Sequence, residues 1–212
     1  MALTSKQLQT KKEKRLKKRK STLSQKSNLD SKLHIYEAII TNNIWDTGLG
    51  VGCLAMEDNK GDIFIANFKI DVFCLGVKDS FSSKISFEQY TSFKNNPELD
   101  DSYFINVEPS YLKSLIAQSV EYAKRYGFLP QGEFTKAIKY FKNIALPDIK
   151  PDFTFGKDGK PYYVAGPYDS LHMSKAVVNK LHDKAGSDNF HYMVPIPEEL
   201  LFDDSEYEIV RL

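Results

Sequence analysis

Asp62-Ile63-Phe64-Ile65-Ala66-Asn67-Phe68-Lys69-Ile70-Asp71-Val72-Phe73-Cys74-Leu75 is the stretch on which the fold turns. It is β-branched and aromatic, with Phe64, Ala66, Phe68 and Ile70 on one face of an extended chain and Ile63 and Ile65 on the other. A strand apolar on both faces reads as a central strand covered by helices on one side. The run before it, residues 51–57, is also β-favouring, and Asp58-Asn59-Lys60-Gly61 between the two is hairpin-turn chemistry. Residues 35–41 read as an earlier strand, followed by a polar loop through Asn42, Asn43 and Asp46 and then by Gly48-Leu49-Gly50.

Downstream the period changes. Pro109 suits a first helical turn, and Leu112, Leu115, Ile116, Ser119, Tyr122, Ala123 and Tyr126 recur at spacings of three and four before Gly127 supplies a stop. Phe134, Ala137, Ile138 and Phe141 place a second amphipathic segment at residues 133–143, and the short link 128–132 makes the pair an αα-hairpin. Residues 152–155 and 161–165 read as another hairpin around Lys157-Asp158-Gly159-Lys160. Ser170 caps a helix over 171–184 that Gly186 ends, and residues 190–194 form a last strand. The order βββ-αα-ββ-α-β predicts an α+β domain with a mainly antiparallel sheet, an αα-hairpin and one further helix.

Charge divides the chain differently. Residues 1–32 hold eleven Lys or Arg against two Asp or Glu, a net +9, while the whole chain is +1, so residues 33–212 carry −8. The cations concentrate in Lys11, Lys12, Lys14, Arg15, Lys17, Lys18, Arg19 and Lys20. Like charges four residues apart oppose an isolated helix, and the segment has few large apolar groups, so it reads as a disordered basic arm. The expected organisation is an arm at 1–32, one α+β domain at 33–196 and an acidic tail at 197–212. Clustered cations attract polyanions, which makes RNA, DNA or the ribosome the expected partner of the arm.

A hydrophobic fraction of 42%, with 14 Phe and 12 Tyr, supports a packed core in the body. No apolar run reaches the ~18–20 residues that span a bilayer, and no apolar stretch follows the basic start as in a signal peptide. Cys53 and Cys74 are too few for a disulfide framework or a zinc site of their own. The expected compartment is reducing and cytoplasmic, and no cofactor is expected.

Candidate chemistry concentrates in Asp71-Val72-Phe73-Cys74-Leu75-Gly76-Val77-Lys78-Asp79. An acid in so apolar a run must be solvated, paired or functional. Asp71 and Asp79 are candidate catalytic groups that could flank a strand end and share a divalent cation. The structural alternative is that Asp71 ends the regular pairing and accepts from nearby backbone donors, with Lys78 and Asp79 starting a solvent loop. His191 is the candidate general base, against the commoner hydrogen-bonded strand histidine. His172 and His182 are too far apart in sequence for a helical metal pair, and His34 sits at the arm junction. Gly166-Pro167-Tyr168-Asp169-Ser170 precedes a helix and offers either an anion-binding turn or a plain turn with an N-cap.

Four stretches carry a resemblance: Asp71 to Asp79, Phe155-Gly156-Lys157-Asp158-Gly159-Lys160-Pro161-Tyr162-Tyr163, Gly166-Pro167-Tyr168-Asp169 and Asn189-Phe190-His191-Tyr192. Together they resemble the motifs of an uncharacterised bacterial protein family, over roughly residues 34–195. The resemblance implies a shared domain, in some members preceded by a basic arm, and supplies no catalytic role. Residues 198–212 are acidic with apolar groups near the end, similar to tails that direct some bacterial effectors to a specialised secretion system.

Three functions are therefore open. One is a non-catalytic binding or adaptor domain whose arm contacts nucleic acid or the ribosome. The second is a small hydrolase or nuclease using Asp71, Asp79 and His191. The third is a secreted bacterial effector. The first is the favoured expectation.

Overall fold

The structure, a computed structural model, describes residues 33–95 and 102–195. The expected arm at 1–32 and tail at 197–212 lie outside the described residues. Strand β3 (Ile63–Asp71) pairs antiparallel with β2 (Leu49–Glu57) on one side and with β4 (Gly76–Ile85) on the other. Strand β1 (His34–Thr41) extends the sheet beyond β2, and β5 (Phe104–Val107) closes it, all antiparallel, in the order β4-β3-β2-β1-β5. A single turn of helix, α1 (Ile44–Thr47), links β1 to β2. The fold is α+β with a mainly antiparallel sheet, as the element order predicts.

Both faces of the central strands are covered. One face presents Ala38, Ile40, Leu54, Ala66, Phe68 and Ile70 to Leu112, Leu115 and Ile116 of α3 (Pro109–Arg125). Gly52 of β2 lies under that helix, where an added Cβ would meet Leu112 Cδ1 at 2.6 Å. The other face presents Ile39, Cys53, Ala55, Ile63 and Ile65 to Tyr90 of α2 (Phe87–Lys94). The two-residue alternation of each strand thus divides one apolar run between two cores.

Several expectations are corrected. Lys78 and Asp79 do not begin a solvent loop; they belong to β4, in which Lys69 faces Asp79 across a register shift. The residues 62–75 are not one strand: β3 ends at Asp71, and Val72 to Leu75 form the turn into β4. Polar, serine-rich β4 is an edge strand with one fully covered end, so its periodicity is weak. Its outer edge is closed by the backbone of the segment after α3: Gln131 N–H donates to Val77 O (3.0 Å) and Glu133 N–H to Ser80 O (2.6 Å). Helix α2 is absent from the expected element order. The Ser86 side chain accepts from Gln89 N–H, and Gln89 accepts from Ser86 N–H, a capping box on a helix with one buried residue.

The second arm of the expected αα-hairpin is shorter than residues 133–143. It is one α turn, α4 (Phe134–Ala137), continued by a 3-10 helix (Ile138–Phe141). So short a segment is held by packing, here by Phe134 and Phe141 each edge-on to Phe68. The expected hairpin of 152–155 with 161–165 is also replaced. Phe153 and Phe155 turn their rings into a group with Trp45, Tyr111 and Tyr122, which anchors that stretch without strand pairing. Strand β6 (Tyr162–Val164) pairs instead, in parallel, with β7 (His191–Met193). Between them runs α5 (Leu171–Ala185), capped by Ser170 as its sequence requires.

Gly76, at the first position of β4, has φ +68° and lies against α3, where a Cβ would come within 2.7 Å of Ser119 O and 2.8 Å of Ala123 Cβ. Backbone strain and overpacking therefore act together. Gly76→Ala is expected to destabilise the protein by roughly 2–4 kcal/mol, read as a lowered urea midpoint; a midpoint within error of the parent contradicts this packing.

Candidate functional site

Of the three candidate catalytic residues only Asp71 lies where β3 turns into β4. Asp71 is only 8% exposed, and its Oδ1 accepts from Phe73 N–H (3.0 Å) and Cys74 N–H (2.8 Å). Burial pushes its carboxyl up to about 6, against the pull of those N–H groups and of Lys78. The structural alternative for Asp71 is the one its geometry matches: the carboxylate closes the turn. Asp79 is exposed, on the neighbouring strand, and its Oδ1 takes the N–H of Ser80 at 2.7 Å. His191 is exposed on β7, in the smaller sheet, with its backbone N–H on Pro161 O. No hydrogen bond or ion pair joins any two of these three side chains. Among the described residues no group of three or more His, Cys, Asp or Glu side chains is placed to hold a metal ion.

A different set does converge, around Asp169 of the Gly166–Ser170 turn. Asp169 Oδ2 accepts from Gly166 N–H (2.8 Å) and from the Tyr163 hydroxyl (3.1 Å), and lies 3.7 Å from Lys78 Nζ. The Tyr163 hydroxyl also sits 3.2 Å from Ser174 Oγ, which is buried on α5. Burial works to raise the Asp169 carboxyl, but the Gly166 N–H, the Lys78 charge and the Tyr163 hydroxyl together hold it below its usual range. Within Gly166–Ser170, the turn and the N-cap are both formed, so the bland reading of that stretch suffices.

All four resembling stretches gather here. Val72 O accepts from Gly156 N–H (3.0 Å), and Phe73 O from Tyr162 N–H (3.1 Å). Cys74 and Leu75 pack with Tyr163, Leu181 and Phe190. The Cys74 thiol is raised by burial and by the Asp71 charge, and Cys53 is pushed up to about 12 by burial and Glu37, so neither is a thiolate nucleophile at neutral pH. Among the described residues no buried side-chain nitrogen or oxygen lacks a hydrogen-bond partner. The cluster joins the large sheet to the β6–α5–β7 unit and consumes its own polar groups in doing so. Lys78 was missed because it lies far from Asp169 in the chain, and Tyr163 and Ser174 because their contacts join a strand to a turn and to a helix, which no single element's spacing announces.

Compared with known proteins, the chain matches no family model, no curated protein and no solved structure.

Asp71 and Asp169 pull stability in opposite directions with pH. The raised Asp71 contributes stability that is full below its unfolded value near 3.8 and lost as pH rises through about 6. The lowered Asp169 contributes stability present above its unfolded value and lost as pH falls through its folded one. Asn at position 71 keeps an oxygen for the Phe73 and Cys74 N–H groups and removes the buried charge. Asp71→Asn is therefore expected to abolish a loss on the order of 2–3 kcal/mol between about pH 4 and pH 7, measured by urea unfolding across that range. An unchanged pH slope would show the carboxyl is not the group responsible.

Tyr163→Phe strips the buried Ser174 hydroxyl and the Asp169 carboxylate of one partner each. The expected cost is about 1–3 kcal/mol, seen in the same unfolding experiment; a neutral result means the phenolic hydroxyl adds nothing to the junction.

Proposed function

We propose that the protein is a non-catalytic binding or adaptor protein whose basic segment contacts nucleic acid, free or within the ribosome. The observation that carries this reading is the segregation of charge, +9 within residues 1–32 against −8 in the remainder. Lys and Arg residues so concentrated release counterions from a phosphate backbone, which gives affinity without sequence preference. The state of the body's ionisable groups supports the non-catalytic part. Asp71 is turned into its own backbone, Asp169 into a structural junction, and both thiols are held protonated. No helix among the described residues is long and apolar enough to cross a membrane.

The test keeps the full chain and replaces Lys11, Lys12, Lys14, Arg15, Lys17, Lys18, Arg19 and Lys20 by Gln. Binding to a labelled single-stranded RNA is measured against salt. At about 0.7 per neutralised phosphate, the slope of log K against log salt is expected to fall in magnitude by roughly 5 to 6. A slope equal to that of the parent, or no binding by the parent at low salt, ends this reading.

A further inference from the structure

The body is acidic in sum but not throughout. Residues 33–108, which supply the five-stranded sheet, hold five Lys or Arg against twelve Asp or Glu, a net −7. Residues 109–150, which supply the helical layer over one face of that sheet, hold seven against three, a net +4. An acidic total therefore conceals a basic layer.

Within that layer the α4 and 3-10 segment orders its cations. Phe134, Ala137, Ile138 and Phe141 face the core, which leaves Lys136, Lys139 and Lys142 outward and exposed at a spacing of three. The segment is an α turn through Ala137, whose N–H bonds Glu133 O, followed by 3-10 geometry, with Lys142 N–H on Lys139 O and Ile144 N–H on Phe141 O. With a rise of ~1.5 Å per residue in the α turn and ~2.0 Å in the 3-10 turn, residues three apart lie near one face and ~4.5–6 Å apart along the axis. That is comparable with the separation of successive phosphates along one nucleic-acid strand. Lys113 of α3, partly buried, donates from its Nζ to Ile144 O and is not counted in the row. Glu133 pairs with Lys136, while Lys139 and Lys142 have no ion pair among the described residues.

From this geometry we infer that Lys136, Lys139 and Lys142 form a second contact for the backbone of a single-stranded nucleic acid, on the body itself. The inference rests on the proposed nucleic-acid function and assigns the face of the domain that meets the strand. Phosphates are recognised by charge at a regular spacing, so the surface carries register and orientation rather than base sequence.

The test uses the full chain, a labelled single-stranded RNA and the triple variant Lys136→Gln, Lys139→Gln, Lys142→Gln. A control triple, Lys157→Gln, Lys175→Gln and Lys184→Gln, removes three other exposed cations of the C-terminal unit. The stripe variant is expected to lower the salt slope by about 2 in magnitude, with an unchanged thermal midpoint and a smaller effect in the control. Combined with the neutralised arm, it should remove the slope that the arm variant retains. A parental slope in the stripe variant, with no slope left once the arm alone is neutralised, overturns the stripe and leaves the arm reading standing. Equal loss in the control triple also overturns it. No RNA binding by the parent chain removes both readings together. Tighter binding to a labelled poly-glutamate of equal charge, lost in the same variant, would overturn the nucleic-acid assignment.

Discussion

The turn from Val72 to Leu75, closed by the Asp71 carboxylate, is the constraint on which the rest of the structure depends. Two N–H donors within the turn are taken by one oxygen, which fixes the direction in which Val72 and Phe73 present their carbonyls. Those carbonyls receive Gly156 and Tyr162, and Val72 N–H is itself given to Gly48 O (2.8 Å). Gly48 and Gly76, both at positive φ, leave room for the Phe73 ring on one side and for α3 on the other. Three strands of the large sheet precede the turn and two follow it, and the chain after residue 150 docks on the carbonyls the turn presents. A buried carboxylate is costly to ionise, so its placement here couples the geometry of the junction to pH.

Around that junction the polar groups form a closed set. Lys78 neutralises Asp169 and lies near Asp71, while Tyr163 links Asp169 to Ser174 on α5. Partly buried ion pairs of this kind add specificity more than stability, because desolvation offsets much of the attraction. Their arrangement explains why acids and a lysine in a dense cluster need not be catalytic. Each is already spoken for by the fold.

Charge is organised at a coarser level than contacts. The sheet layer is acidic, the helical layer over it basic, and the segment at residues 1–32 more basic still. Polyanion contacts are long-ranged and act through summed charge, so they depend on which layer faces outward as much as on any one side chain.

The strongly periodic elements were legible without coordinates. A central strand within residues 62–75, the 58–61 turn, the helix begun by Pro109 and stopped before Gly127, and the helix capped by Ser170 all follow from local propensity and apolar spacing, though the strand ends at Asp71 and not at Leu75. β4, α2 and β5 were not, because each buries few side chains and draws its order from neighbours: β4 from the 131–133 backbone, α2 from a single tyrosine on the sheet. The basic segment and the buried acid were visible as types of residue. That Asp71 closes its turn with the N–H groups of Phe73 and Cys74 is local, but that Lys78 of β4 answers Asp169 is set by contact between segments far apart in the chain. Alternation and capping are written in neighbouring residues, so sequence determines them; partnership across a hundred residues exists only once the core has closed, so tertiary structure alone decides it.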